Sequence, residues 1–232
     1  MTHILLINPN ASSATTEMMV NIANAEAPAG CCVTGRTAVG GPQMIVNERE
    51  LEAAAVEVLK VWHEAASAHW DGVIVSAFGD PGIDLVRANA RVPVVGIAEA
   101  SMREASQGQR RFGIATVTPD LVAPIEQRAR VLGLLGLYTG IRLTQGDPRE
   151  LAADPQALEE ALARAVQRCI DEDGAQAVII GGGPLGQAAL ALAPRFGVPV
   201  IAPISAAMRQ LCGQLDIART ASGAPPPRTA QA

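Results

Sequence analysis

The spacing that most directly suggests chemistry lies in AVIIGGGPLGQAALAL, residues 177–192, where an apolar run meets a cluster of glycines. Gly181, Gly183 and Gly186 satisfy G-x-G-x-x-G, the spacing of a turn that holds the pyrophosphate of a dinucleotide. However, Pro184 removes an amide inside this loop, and the next strand ends in VIAPIS, without the acidic residue that contacts a ribose. The glycines therefore predict close approach of a small ligand to the backbone rather than a nucleotide site.

Thiols are the next groups that could do chemistry. The four cysteines are Cys31, Cys32, Cys169 and Cys212. None belongs to a C-x-x-C pair, so their spacing predicts no disulfide framework, and the three scattered histidines add no zinc site. We expect all four cysteines to be reduced, buried packing residues.

Composition narrows the classes of function. The chain has 232 residues, of which 49% are hydrophobic and 18% charged, as is usual for a globular α/β protein. A net charge of −5 without any basic stretch excludes a nucleic-acid partner, and no apolar run approaches the roughly 20 residues of a membrane span. With no signal-like start, the expected location is the cytoplasm. The proline-rich segment 218–232 is predicted to be disordered.

The elements that must position these residues alternate between strand and helix patterns. Short apolar runs predict buried parallel strands; they are ILLI, GVIV, PVVGI, FGIATV, AVII and PVIAPI. Two long amphipathic stretches, ERELEAAAVEVLKVWHEAASAH and DPQALEEALARAVQRCIDED, predict helices, the second capped by Asp154 with Pro155 at its first position. This alternation predicts an α/β fold with parallel sheets.

The two halves of the chain repeat each other. The matching segments, in the same order, are 5–10 with 115–120, 72–82 with 177–187, and 92–102 with 198–208. We therefore predict two pseudo-symmetric lobes, each a small parallel sheet flanked by helices, at 1–98 and 99–217. The last helix, 205–217, is expected to return to the first lobe.

Ligands of open parallel sheets bind beyond the carboxyl ends of the strands. If the lobes face each other, the loops NPNASS, SAFGDPG, TVTPD and GGGPLG meet at one interlobe cleft. Backbone N–H groups at helix starts would line this cleft, which suits a carboxylate or a carbonyl oxygen.

At these loops the sequence resembles the aspartate/glutamate/hydantoin racemase superfamily, most closely its hydantoin and allantoin racemase branch. The similar stretches are ILLINPNASSATT, TAVGGPQMI, VSAFGDPGIDLVR, VPVVGIAEAS, FGIATVTPD and AVIIGGGPLG. The resemblance implies two lobes around an interlobe active site for a small-molecule substrate. It also implies that no cofactor or metal is used and that the protein is a homo-oligomer.

The sequence differs from that superfamily at the two positions whose side chains carry out its chemistry. There, one cysteine from each lobe faces the substrate; one thiolate removes the α-proton and the opposite thiol returns a proton on the other face. The corresponding positions here are Ala77 and Gly182, which the internal repeat also places over each other. We therefore predict that two-thiol racemisation does not occur.

The rest of the predicted pocket is retained, so a ligand of the same kind, a planar cyclic ureide or an amino-acid-derived carboxylate, is expected. Backbone amides and short polar side chains of the four loops would hold it. The predicted substrate-binding residues are Asn8, Ala77, Phe78, Gly79, Thr116, Thr118, Gly182 and Gly183, together with Ser76.

Three residues near these loops are candidates for catalysis. Asp80 and Glu99 are the nearest carboxylates, and Ser76 offers a hydroxyl at the end of a strand. Each has a structural alternative: Asp80 as a turn or helix-cap residue in GDPG, Glu99 at a helix start, and Ser76 as a hydrogen-bond donor to the backbone.

Three classes of function therefore remain open. The first is a cofactor-independent isomerase of the racemase type that uses groups other than thiols. The second is a cofactor-free hydrolase or lyase, which opens the ring or removes CO₂, with water in the space left at Ala77 and Gly182. The third is a non-catalytic binder of a small acid or ureide.

Overall fold

The computed structural model describes the backbone of residues 1–221 and the side chains of residues 1–216. The strands of this part are β1 (Thr2–Asn8), β2 (Cys31–Thr37), β3 (Gly72–Val75), β4 (Val94–Gly96), β5 (Phe112–Thr116), β6 (Tyr138–Leu143), β7 (Ala177–Ile180) and β8 (Val200–Ile201). Its α-helices are α1 (Ser13–Glu26), α2 (Glu48–Ala65), α3 (Ile83–Asn89), α4 (Ile97–Ala105), α5 (Val122–Val131), α6 (Pro148–Ala153), α7 (Pro155–Asp171), α8 (Gly186–Leu192) and α9 (Pro203–Ala221). Four short 3₁₀ turns complete it: Gln107–Gln109, Pro119–Leu121, Gly183–Leu185 and Ala193–Arg195.

The strands form two four-stranded sheets in the orders β2-β1-β3-β4 and β6-β5-β7-β8, and every pairing is parallel. The second sheet repeats the first strand for strand: β1 corresponds to β5, β3 to β7 and β4 to β8. These are the pairs that the internal repeat aligns. The predicted α/β fold with two small parallel sheets flanked by helices is confirmed.

Both faces of the central strands are buried, which explains their continuous apolar sequences. In β1, Ile4 and Leu6 face an apolar cluster that also contains Ile114 of the second sheet. Leu5 and Ile7, which point the other way, pack in a separate cluster with side chains of α2. The first of these clusters joins the two halves of the chain through a common core.

Side-chain caps fix where the helices begin after the strands. Ser12 caps α1 and Asn47 caps α2, each accepting a hydrogen bond from a backbone amide of the first turn. Asp154 accepts hydrogen bonds from two amides of α7, and Pro155 is its first residue, as the sequence predicts.

The last helix of the second half packs against the first half. Leu211 of α9 lies so close to β3 that a Cβ built on Gly72 would be 2.8 Å from its Cδ1 atom. The backbone of α9 continues to Ala221, past residue 217, the last residue before the segment that is predicted to be disordered. Residues 222–232 of that tail lie outside the described residues, and the boundary between residues 98 and 99 stays a prediction.

The cysteines correct one expectation. Cys169 is buried, and burial raises the pKa of its thiol to about 12, but Cys32 is exposed and Cys31 and Cys212 are only half-buried. Cys31 and Cys32 are the first residues of β2, an edge strand with a neighbour on one side only. In the described part of the chain, no helix combines the length and apolar character needed to span a membrane. The same part holds no group of three or more His, Cys, Asp or Glu side chains placed to bind a metal.

Candidate active site

A cavity of about 50 Å³ lies where the loops after β1, β2, β3, β5 and β7 meet. Each of the four loops named from the sequence contributes to it. Its small and polar lining residues are Asn10, Ser76, Ala77, Thr118, Gly181, Gly182, Gly183 and Pro184. Its larger apolar lining residues are Met44, Ile45, Phe78, Val117, Leu121, Ile125 and Leu185.

Ala77 and Gly182 line this one cavity from different halves of the chain. The loops that carry them are in direct contact: a Cβ on Gly181 would lie 3.2 Å from Cε1 of Phe78, and one on Gly183 would lie 2.6 Å from the carbonyl oxygen of Ser76. The glycine run therefore allows the second half to approach the backbone of the first more closely than a side chain would permit.

The space at Gly182 is not empty. A Cβ built there would lie 2.9 Å from both Cγ and Cδ1 of Leu185, so this leucine occupies much of the room that a larger residue at Gly182 would need. The idea that both substituted positions leave space for a water molecule is therefore corrected at Gly182. Ala77 faces the cavity with a methyl group that is 8% exposed.

Several hydrogen-bond donors at the cavity have no acceptor among the residues that the structure describes. They include the backbone amides of Ala77, Phe78 and Gly183. The Thr118 hydroxyl likewise forms no hydrogen bond within residues 1–216, and the residue, which lines the cavity, is 6% exposed. Such donors can hold a carbonyl oxygen, a carboxylate or the oxyanion of an enolate.

Asn8 does not line the cavity but positions a residue that does. Its Nδ2 atom donates to Oδ1 of Asn10 at 2.9 Å, to Oγ1 of Thr16 at 2.9 Å and to the Ser12 carbonyl at 3.1 Å. Oδ1 of Asn10 also accepts from the Ser12 amide. Asn10 thus keeps its own Nδ2 group for a ligand, since no acceptor for it occurs in the described part of the protein.

The predicted hydroxyls behave differently from one another. Oγ of Ser76 donates to the Ile7 carbonyl at 2.8 Å, and Oγ1 of Thr116 donates to the Gly181 carbonyl at 2.6 Å. These hydroxyls tie the loops to neighbouring strands and are not free to act on a ligand. Of the hydroxyls predicted from the sequence, Thr118 is the one that the structure leaves available at the cavity.

Asp80 is buried beneath the cavity-lining turn and does not line the cavity. Its carboxylate accepts hydrogen bonds from the amides of Ala98 at 2.8 Å and Glu99 at 2.9 Å, at the start of α4. Nε of Arg128 lies 3.4 Å from Oδ2 of Asp80. Burial raises the pKa of Asp80 to about 7, although Arg128 and the two amides act in the opposite direction. This geometry is that of a helix cap.

The Glu99 carboxylate is also directed into the protein. It is 3% exposed and forms an ion pair with Arg87, whose guanidinium in addition donates to the Val94 carbonyl at 2.8 Å. Gly79 likewise turns its carbonyl away from the cavity, toward Arg128. The structure thus corrects the expectation that Asp80, Glu99 and Gly79 face the ligand.

The lining residues that sequence reasoning missed are mostly apolar: Met44, Ile45, Val117, Leu121, Ile125 and Leu185, besides the polar Asn10. Apolar side chains give no chemical signal in a sequence, and only their position in the loops could have indicated them. Among the described residues lining the cavity, none is a Cys, His, Asp, Glu, Lys, Arg or Tyr. The arrangement can bind and polarise a ligand, but none of these lining side chains is an ordinary general acid or base.

Comparisons with known proteins agree with the architecture of the two sheets. Residues 4–211 match the Asp/Glu/Hydantoin racemase family. A hydantoin racemase from Paenarthrobacter aurescens is 30% identical over 207 residues, which are 89% of this chain and 88% of that protein.

Two allantoin racemase structures are similar over the whole chain. The one from Klebsiella pneumoniae has a TM-score of 0.87 at 27% identity, covering 100% of this chain and 96% of that one. The one from Pseudomonas fluorescens has a TM-score of 0.88 at 26% identity, covering 100% of both chains. On the family match and these relatives, the chain belongs to the Asp/Glu/hydantoin racemase family.

Proposed function

We propose that this protein binds a small cyclic ureide, hydantoin-like, or an amino-acid-derived carboxylate in the cavity between its two sheets, and that it performs racemase-type chemistry without a pair of thiols. The observation that carries the proposal is the cavity itself. Ala77 and Gly182, which the resemblance aligns with the two cysteines, line it from the two halves of the chain, beside unpaired backbone amides.

The polar and the apolar lining residues would bind different parts of the ligand. The amides of Ala77, Phe78 and Gly183, with the Thr118 hydroxyl and Nδ2 of Asn10, supply donors for the carbonyl oxygens of a planar ring. The apolar side chains supply a surface for a hydrocarbon substituent on that ring.

The chemistry that fits this site is stabilisation of an enolate. Removing the α-proton places negative charge on a ring oxygen, and fixed donors at that oxygen lower the barrier. Water would have to accept and return the proton, because the described lining residues include no acid or base. Positioned acid–base groups contribute about 10²–10⁴-fold, so turnover should be slower by that order than in a two-thiol enzyme.

A non-catalytic binder is the second candidate, and the same absence of a titratable side chain in the described lining favours it. The hydrolase or lyase class has less support, since Leu185 occupies space at Gly182 that a water molecule would need. A single experiment distinguishes these classes from racemase-type chemistry.

The test is incubation with one enantiomer of a 5-substituted hydantoin in deuterated water. Racemase-type chemistry predicts deuterium at C5 and loss of optical rotation, both faster than in buffer. Ring opening or loss of CO₂ without exchange would indicate the second class. Thermal stabilisation by the hydantoin without any turnover would indicate the binder. Alkylation of the exposed Cys32, and replacement of the buried Cys169 by alanine, should leave the exchange rate unchanged.

A further inference from the structure

The side chain of Arg128 crosses from the second half of the chain to the first. Arg128 lies in α5, and its Nη2 atom donates to the carbonyl oxygens of Gly79 at 3.2 Å and Asp80 at 3.1 Å. Its Nε atom lies 3.4 Å from the Asp80 carboxylate. One guanidinium therefore contacts both the backbone and the side chain of the turn that follows β3.

That turn has a backbone conformation that needs external support. Gly79 has a φ of 124° and Asp80 a φ of 51°, so two successive residues lie at positive φ, and the second is not a glycine. The Asp80 side chain is fixed from below by the amides of Ala98 and Glu99, at the start of α4. The turn is thus held between α4 on one side and Arg128 on the other.

Helix α5 and the segment that leads into the turn form two walls of the cavity. Ala77 and Phe78, just before the turn residues Gly79 and Asp80, line it from the first half, and Ile125 of α5 lines it from the second. Ile125 and Arg128 are three residues apart and so lie on one face of α5. A fixed distance between α5 and the turn therefore fixes the positions of Ile125 and of the Ala77 and Phe78 amides relative to each other.

We propose that Arg128 is a positioning residue of the ligand site: from α5 it holds the turn 77–80 in the conformation that presents the Ala77 and Phe78 amides to the ligand. Arg128 does not itself line the cavity and touches no ligand. The inference rests on the proposed function in one respect, the identity of the ligand, whereas the effect on the turn is independent of it.

The variants are chosen to separate positioning from general stability. Arg128→Met removes all three contacts and keeps much of the packing volume. Arg128→Lys keeps a positive charge near Asp80 but lacks the planar fork that reaches two carbonyls together. The matched control is Arg142→Met, since Arg142 also pairs with a partly buried carboxylate, Asp173, at 2.6 and 2.7 Å, but both residues belong to the second half of the chain and neither lines the cavity.

Two measurements are made on each variant. The first is hydrogen–deuterium exchange of backbone amides in a peptide spanning residues 76–83. The second is affinity for 5-benzylhydantoin, measured by calorimetry. Arg128→Met should speed exchange in this peptide at least 10-fold and weaken binding at least 10-fold, with Arg128→Lys between it and the wild type. Arg142→Met should leave both unchanged at a comparable loss of Tm.

The outcomes distinguish failure of this inference from failure of the proposed function. Unchanged exchange in residues 76–83 of Arg128→Met would overturn the positioning role, as would wild-type affinity in that variant. If Arg128→Met does not fold, Arg128→Lys decides by the same two measurements. A wild-type chain that binds no hydantoin would overturn the proposed ligand, and the exchange rates would then decide the role of Arg128.

Discussion

Replacing Thr118 with valine tests the enolate chemistry most sharply. The residue lines the cavity, it is 6% exposed, and its Oγ1 atom forms no hydrogen bond with the described residues. Valine has nearly the same shape, so the change removes one donor without breaking a hydrogen bond of the fold. We therefore expect little effect on stability and a specific effect on the ligand.

The expected effect differs between binding and catalysis. A hydrogen bond to a neutral ring carbonyl contributes about 0.5–1.5 kcal/mol, so the Kd for 5-benzylhydantoin should rise roughly 2- to 12-fold. A donor to an oxyanion is worth about 2.7–4 kcal/mol, so the rate of deuterium exchange at C5 should fall by about 10²–10³. The loss in rate should exceed the loss in affinity because the charge develops only in the transition state.

Affinity would be measured by calorimetry and exchange by the NMR signal of the C5 proton in deuterated water. Thr144→Val is the matched control: the Oγ1 atom of Thr144 is buried without a hydrogen-bond partner, and this residue does not line the cavity. That variant should keep the wild-type Kd and exchange rate. If Thr118→Val lowers neither affinity nor rate, or if Thr144→Val lowers them equally, the assignment of the Thr118 hydroxyl to the ligand is refuted.

Three further predictions follow from the site. The pKa of Asp80 is raised from 3.8 to about 7, so between pH 4 and pH 7 the folded protein keeps a proton that the unfolded chain releases. The free energy of unfolding should therefore fall by up to roughly 4 kcal/mol as pH rises from 4 to 7. Urea unfolding of Asp80→Asn should show no such dependence on pH. The triple variant Ala77→Cys, Gly182→Cys and Leu185→Ala, in which the leucine side chain no longer occupies the place of the second thiol, should racemise a chiral hydantoin about 10²-fold or more faster than Leu185→Ala alone, measured by polarimetry; equal rates would show that the two positions do not face one ligand. Gly183→Ala places a Cβ 2.6 Å from a facing carbonyl oxygen and should cost about 1–3 kcal/mol in urea unfolding, whereas Gly197→Ala, where a Cβ meets nothing within 4 Å, should cost little.

The strands that are buried on both faces of a sheet were predictable from the sequence. Strands such as β1 and β7 are buried on both faces and so appear as continuous apolar runs. The edge strand β6 (Tyr138–Leu143) was missed because it is half-buried throughout and contains Gly140 and Arg142 among its apolar residues. The repeat predicted which strands correspond, since equivalent strands carry equivalent core positions.

The site was predictable in its loops but not in its side chains. Ala77, Gly182 and Thr118 line the cavity as expected, whereas Asp80 and Glu99 are close to it in sequence but directed into the protein. Sequence position places a residue at the end of a strand; it does not determine which way the side chain points. That direction depends on partners distant in sequence, such as Arg128 for Asp80.

The apolar cluster that contains Ile4 of the first sheet and Ile114 of the second has a consequence for how substrate enters. Two bodies joined by a close-packed interior cannot swing apart as a hinge without exposing that interior to water. Access to the proposed site would therefore depend on local rearrangement of the cavity lining, to which the loop after β2 contributes Met44 and Ile45. Variants that stiffen this loop should slow association without altering the chemistry, which makes entry and turnover separable in this protein.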